Sequence, residues 1–232
     1  MQQLLFDFSK PPQPTFANFA AGRNAELLTT LQAAVAGRLP ERWLCIWGAE
    51  GSGRTHLLRA AVDAVQNTAR TAVYAAAAGA GSLGAVNPLP ALVAIDDAER
   101  LDGLAQGALF RVFDRLREEA GTLLIAANAA PMRLPLRDDL RTRLASGLVF
   151  QVQLLADDEK AQALYVHAAA RGFALPPEVA DYLLRHRQRD LPSLMLVLDA
   201  ADQYSLQTKR PLTLPLLREV LQLADGAEPL AQ

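Results

Sequence analysis

Apolar residues along the chain fall into short, nearly uninterrupted blocks separated by segments of helical periodicity. The blocks are Trp43–Trp47, Thr71–Ala76, Ala91–Ile95, Thr122–Ala127 and Leu148–Gln153. Each has the length of a strand, and Trp43–Trp47, Ala91–Ile95 and Leu123–Ala127 are apolar throughout instead of alternating, as strands buried on both faces are. Between them, Ala25–Gly37 behind the capping candidate Asn24, Arg54–Asn67 and Leu104–Glu119 repeat their apolar positions at helical spacing. This alternation predicts an α/β domain with a mostly parallel sheet. After Leu155 the blocks stop, and helix openings follow at Asp157-Asp158-Glu159, Pro176-Pro177-Glu178, Asp190-Leu191-Pro192 and Leu214-Pro215. They predict a small all-helical domain. The uncharged run from Ala72 to Ile95 is long enough on paper to cross a bilayer. Gly79, Gly81, Gly84, Asn87, Pro88 and Pro90 interrupt it, so it reads as two short strands joined by a loop.

Residues 9–18 contain three prolines, Pro11, Pro12 and Pro14, which makes the first eight residues an extended arm on a linker. That arm has no basic region followed by a long apolar stretch, so no export signal is expected and the cytoplasm is the default. Composition adds little to this picture beyond exclusions. The 232 residues are 51% hydrophobic with a net charge of −2, which fits a core-forming protein and not one that coats nucleic acid. Cys45 is the only cysteine, which excludes an internal disulfide, and His56, His167 and His186 lack zinc spacing.

Candidate chemistry begins at Gly48-Ala49-Glu50-Gly51-Ser52-Gly53-Arg54-Thr55, which fits the phosphate-loop spacing with arginine in the lysine position. A strand precedes it and a helix follows, so backbone N–H groups of the loop and helix N-terminus are expected to face phosphate oxygens. The Thr55 hydroxyl would serve magnesium. Arg54 keeps the charge, but its planar fork does not replace a compact ammonium, so hydrolysis is expected to suffer more than binding. The strand Leu92–Ile95 ends in Asp96-Asp97, an acidic tip of the kind that holds magnesium in phosphate-loop NTPases. Asp96 is the expected metal residue and Asp97 the expected water-polarising one. Asn128, at the tip of another apolar block, is placed to orient that water or sense a γ-phosphate; taken alone it reads as a turn residue. Asp138–Leu144 is a short helix carrying Arg141 and Arg143. Leu140 and Leu144 are expected to anchor it inward, with Arg143 directed toward a neighbour. Arg189, at the start of the third tail helix, is placed to reach back toward phosphates.

Phosphate loop, acidic strand, polar-tipped strand, arginine-bearing helix and helical lid, in that order, resemble an AAA+ ATPase domain. Details resemble the DnaA-related branch. Thr15-Phe16-Ala17-Asn18-Phe19-Ala20-Ala21-Gly22 looks like that branch's entry segment beside the adenine, and Gly53-Arg54-Thr55-His56-Leu57-Leu58 is similar to its phosphate-loop signature, in the arginine form found in regulatory inactivators of DnaA. Gln3-Leu4-Leu5-Phe6-Asp7-Phe8 resembles a peptide that docks on the DNA polymerase III sliding clamp (its beta subunit), with Leu4, Phe6 and Phe8 entering an apolar groove and Gln3 supplying hydrogen bonds.

The resemblance implies a clamp-binding peptide at 1–8, a linker and adenine-side entry segment at 9–22, an AAA+ domain at 23–155 and a helical lid domain at 156–232. It implies adenine nucleotide, ADP ahead of ATP, with magnesium, held by Phe19, Gly48, Gly51, Ser52, Gly53, Arg54, Thr55 and His56, with Asn128 and Arg189 as first and second sensors. Arg143 would be the arginine finger acting in trans on ATP-loaded DnaA, with Arg141 the competing position. The chain ends at Gln232 without a helix-turn-helix, so direct sequence-specific DNA binding is not expected, nor is a membrane; a homodimer stays open. The implied function is negative regulation of replication initiation. The alternatives are an autonomous DnaA-like or helicase-loader-like ATPase and a nucleotide-free scaffold.

Overall fold

The computed structural model describes residues 13–186 and 191–225, which fall into two compact units, Gln13–Leu154 and a second one from Leu155 onward. In the first unit, strands β1 (Trp43–Trp47), β2 (Ala72–Ala76), β3 (Leu92–Asp96), β4 (Thr122–Ala127) and β5 (Leu148–Gln151) form one parallel sheet in the order β2-β3-β4-β1-β5. β5 is shorter than its apolar block: it pairs with β1 as far as Gln151 opposite Trp47, and the Val152 N–H makes the last bond of the ladder, to the Trp47 carbonyl.

Both sheet faces are covered over the central strands β1, β3 and β4, which is why these lack alternation, while β5 at the edge alternates in burial. On one face Leu44, Ile46, Leu92, Ala94, Leu124 and Ala126 pack with Leu27 and Leu31 of α1 (Ala25–Val35) and with Leu57, Leu58 and Ala61 of α2 (Arg54–Gln66). On the other, Val93, Ile95, Leu123 and Ile125 meet Leu109, Val112, Phe113 and Leu116 of α3 (Gly103–Glu118) and Leu140 and Leu144 of α4 (Asp138–Ala145). Strand residues of one parity thus face α1 and α2, and those of the other face α3 and α4. The segment between β2 and β3 is not a plain loop, since Ala77–Ala85 winds as 3-10 helix.

Asn24 differs from its expected role. Its side chain makes no cap for α1; it is buried and bonds the backbone of Gln153 in both directions, donating to the carbonyl at 2.9 Å and accepting from the N–H at 2.7 Å. It ties the segment entering α1 to the chain leaving β5.

The second unit is all-helical: α5 (Asp157–Ala170), α6 (Pro177–His186), α7 (Leu191–Thr208) and α8 (Leu214–Asp225). Leu164, Val179, Leu183, Leu194, Leu198 and Leu217 form its core. Glu159 accepts from the Ala156 N–H at 2.7 Å, so one orphan donor at the start of α5 is satisfied by a side chain. No helix among the described residues is long and apolar enough to cross a membrane.

Candidate functional site

Parallel pairing brings the C-terminal ends of β1, β4 and β3 side by side, with Trp47 level with Ala127 and Ile95 level with Ile125. Ligands of open parallel sheets bind at this edge. Three loops leave it: Gly48–Gly53 after β1, Asp97–Arg100 after β3, and Asn128 after β4.

Glycine is required at defined points of the first loop. Gly51 and Gly53 have φ of +76° and +92°, which L side chains rarely adopt, and a Cβ on Gly53 would lie 2.7 Å from Phe19 Cε2. A Cβ on Gly48 would lie 2.6 Å from the Val152 carbonyl oxygen. The loop therefore turns sharply into α2, whose first-turn N–H groups have no intrahelical partner and carry the positive end of the helix dipole. Two side-chain atoms there are buried with no hydrogen-bond partner in the described structure, Ser52 Oγ and Arg54 Nη1. A buried, unpaired guanidinium nitrogen beside a helix N-terminus is costly without an anion, so the residues present fit a bound phosphate.

Asp96 is buried and continues the face of β3 that carries Leu92 and Ala94, toward α2. Its Oδ2 accepts from Thr55 Oγ1 at 2.6 Å and from the Tyr74 hydroxyl at 2.9 Å, while Oδ1 accepts from the Asp97 N–H at 3.0 Å. Thr55 and Asp96, expected from sequence to share a metal, are thus in direct contact. With its phosphate-side hydroxyl and ionised carboxylate, this pair suits magnesium, which is held by few protein oxygens and substrate phosphates; bound there, it would neutralise phosphate charge. Burial and the Asp96 bond push the Tyr74 phenol above its ordinary range. Tyr74 was not foreseen; the only signal in sequence is a hydroxyl-bearing ring inside an apolar block.

Asp97 stands in the left-handed region, φ 53° and ψ 46°, and turns the chain into the 3-10 segment Ala98–Arg100. That turn carries Glu99 across to β4, where its Oε2 accepts from the Asn128 N–H at 3.1 Å. Asn128 itself is exposed at the sheet edge. Glu99 is a third carboxylate at this edge, after Asp96 and Asp97, and motif spacing did not single it out.

The entry segment crosses the start of α2. Thr15 and Asn18 bond each other's backbone N–H, the Thr15 carbonyl lies 2.9 Å from His56 Nε2, and the Phe19 ring stands 5.5 Å from the His56 ring. Burial pushes the His56 imidazole below its ordinary value, the Thr15 bond opposing. Phe19 and His56 are so brought beside Gly53.

Arg143, expected to face a neighbour, is partly exposed and held at the surface of its own unit. It pairs with Asp114 of α3 at 2.6 Å and lies 4.0 Å from the centroid of the Phe110 ring. Arg141 pairs with Asp138 and keeps its Nε buried without a partner among the described residues. Leu140 and Leu144 are both buried, anchoring α4 as its pattern predicts. Gln3, Leu4, Phe6, Phe8 and Arg189 lie outside the described residues.

A parallel sheet of this strand order, a phosphate loop on β1, an acidic tip on β3 and a separate helical unit define an AAA+ nucleotide-binding fold with a C-terminal lid. Residues 157–221 match the family model described as the lid domain of Hda. Solved structures agree on the fold. Domain III of the replication initiation protein DnaA from Thermotoga maritima is 23% identical with a TM-score of 0.69, matching 94% of this chain and 98% of that one. AMPPCP-bound DnaA from Aquifex aeolicus is 21% identical with a TM-score of 0.71, over 84% and 67% of the two chains. The Holliday junction branch migration motor RuvB from Thermotoga maritima follows at 14% identity and a TM-score of 0.60, over 85% and 68%. The chain shares the AAA+ fold of DnaA domain III, and its residues 157–221 are similar to the Hda lid domain.

Proposed function

We propose that this protein is a negative regulator of replication initiation, a sliding-clamp-tethered adaptor that holds ADP with magnesium and stimulates ATP hydrolysis by DnaA. The observation that carries the reading is the Hda-type lid at 157–221 following a DnaA-like core with a phosphate cradle. The cradle supports the nucleotide: Arg54 Nη1 and Ser52 Oγ lack partners that phosphate oxygens supply. Thr55 and Asp96 are the metal-side residues, Phe19 and His56 line the adenine side, and Asp97 and Asn128 face the γ-phosphate position. Arg189 is the second sensor. Arginine in place of lysine weakens hydrolysis by the chain itself more than its binding.

In this reading the chemistry happens in the partner. Arg143 stabilises charge on the phosphoryl group transferred in the DnaA site, an effect worth about 10³-fold or more in rate. The arm Gln3–Phe8 docks on the clamp, which concentrates the adaptor on DNA. The site of action is the cytoplasm. Purified protein, clamp loaded on DNA and ATP-bound DnaA should together form ADP much faster than DnaA alone, and omitting the clamp should remove the stimulation. ATP turnover by this protein by itself, with no effect on DnaA, would favour the autonomous ATPase instead. Arg54→Ala should abolish the rise in melting temperature that ADP and magnesium give the unmodified protein.

A further inference from the structure

Asp96 Oδ2 receives two hydroxyl donors, Thr55 Oγ1 at 2.6 Å from α2 and Tyr74 at 2.9 Å from β2. They are not equivalent. Thr55 is the phosphate-loop hydroxyl, exposed at the helix start, and its oxygen has a metal ion to serve as well as Asp96, whereas the Tyr74 hydroxyl has Asp96 alone as its hydrogen-bond acceptor among the described residues. Tyr74 sits on a strand paired with β3, Tyr74 level with Ala94, so its hydroxyl stays within reach of Asp96 whatever Thr55 does. The ring is also fixed from outside, with the Arg59 guanidinium 4.7 Å above its centroid.

We infer that Tyr74 is a positioning residue for the metal side of the nucleotide site: its hydroxyl holds the buried Asp96 carboxylate in one orientation, ready for a divalent cation that Thr55 and the nucleotide phosphates also serve. The inference rests on the nucleotide-binding reading above. The physical basis is general. A buried carboxylate with one oxygen fixed by a hydrogen bond from a strand-held hydroxyl presents its remaining lone pairs in a defined direction, and such outer-shell partners typically govern metal affinity by 10–100-fold, so about tenfold is expected here. With the Asp97 N–H on Oδ1, Tyr74 completes a set of donors that holds both carboxylate oxygens and keeps the group directed toward α2.

Tyr74→Phe tests this in the full chain. It keeps the ring under Arg59 and the strand propensity, and the site is only half-buried, so the fold is retained. ADP affinity is measured twice, with EDTA and with saturating magnesium. The unmodified protein should bind ADP more tightly with magnesium. Tyr74→Phe should match it in EDTA and lose about tenfold of the magnesium-dependent gain, with weaker binding of manganese seen by electron paramagnetic resonance in the ADP complex. An unchanged gain in Tyr74→Phe overturns the inference, and so does an equal loss of affinity with and without the metal. If the unmodified protein binds no ADP, or gains nothing from magnesium, the nucleotide-site reading fails first, which is a different result from a gain that survives in the variant.

Discussion

Arg143 is held by Asp114, its Nη1 2.6 Å from the carboxylate, and its guanidinium lies over the Phe110 ring at 4.0 Å. The pair joins α4 to α3. Asp114 is 49% exposed on its side chain, so the ion pair contributes about 0–1 kcal/mol and the ring contact a similar amount. Against the ~10³-fold effect proposed for a finger in trans, a resting contact of this size is easily given up. Asp114→Asn should therefore melt within about 1 kcal/mol of the unmodified protein and stimulate DnaA at least as well. Arg143→Ala should keep the fold and ADP binding and lose stimulation. Equal loss in both variants would show Asp114 to be part of the working surface, and loss in Arg141→Ala alone would move the finger to that position.

The proposed clamp-binding arm gives a separate test, since a peptide that serves an interface adds little to the core. Gln3→Ala, or Leu4→Ala with Phe8→Ala, should abolish clamp binding measured by surface plasmon resonance while leaving the melting temperature within a degree or so. A clear drop in melting temperature would point to an arm that packs on its own chain.

His56 makes the entry segment sensitive to acid. Its folded pKa lies below the ordinary 6.5 because of burial, so on acidification the unfolded chain takes up this proton first. Stability should be flat with respect to this group above about pH 6.5 and fall as pH drops below it. His56→Gln should remove that part of the slope in melting experiments between pH 7.5 and 5, and an identical slope in the variant would exclude His56 as its source.

The sheet was legible in the sequence because its central strands β1, β3 and β4 are buried on both faces and so appear as unbroken apolar blocks. The phosphate loop and Asp96 were legible for a related reason: their spacing is local, and the strand-to-helix context sits beside them. What escaped was set by contacts between distant positions. Tyr74 meets Asp96 across 22 residues, Glu99 meets Asn128 across 29, and Asn24 meets Gln153 across 129. Local pattern made Asn24 a helix cap, yet its amide satisfies both a donor and an acceptor of a chain leaving the sheet, which no cap position offers. The Arg143 contacts escaped likewise, because an aromatic ring and a carboxylate on α3 supply partners that helical spacing within α4 cannot reveal.

Gly53 separates two physical costs at the heart of the site. Its φ of +92° is strained for any L side chain, and a Cβ there would stand 2.7 Å from Phe19 Cε2, a ring edge of the entry segment and not rigid backbone. Left-handed or more extreme conformations cost about 1–3 kcal/mol for non-glycine residues, and the contact with Phe19 adds to this. Gly53→Ala should therefore lower the unfolding free energy by about 1–3 kcal/mol and weaken ADP binding, since a shifted loop misaims its N–H groups. Phe19→Ala removes the clash and not the backbone strain. In the Gly53→Ala background it should cost less stability than it does alone, a coupling that a double-mutant cycle measures directly. Strict additivity of the two substitutions would mean that the Phe19 ring does not rest against Gly53 in solution, and the entry segment would then have to be placed elsewhere.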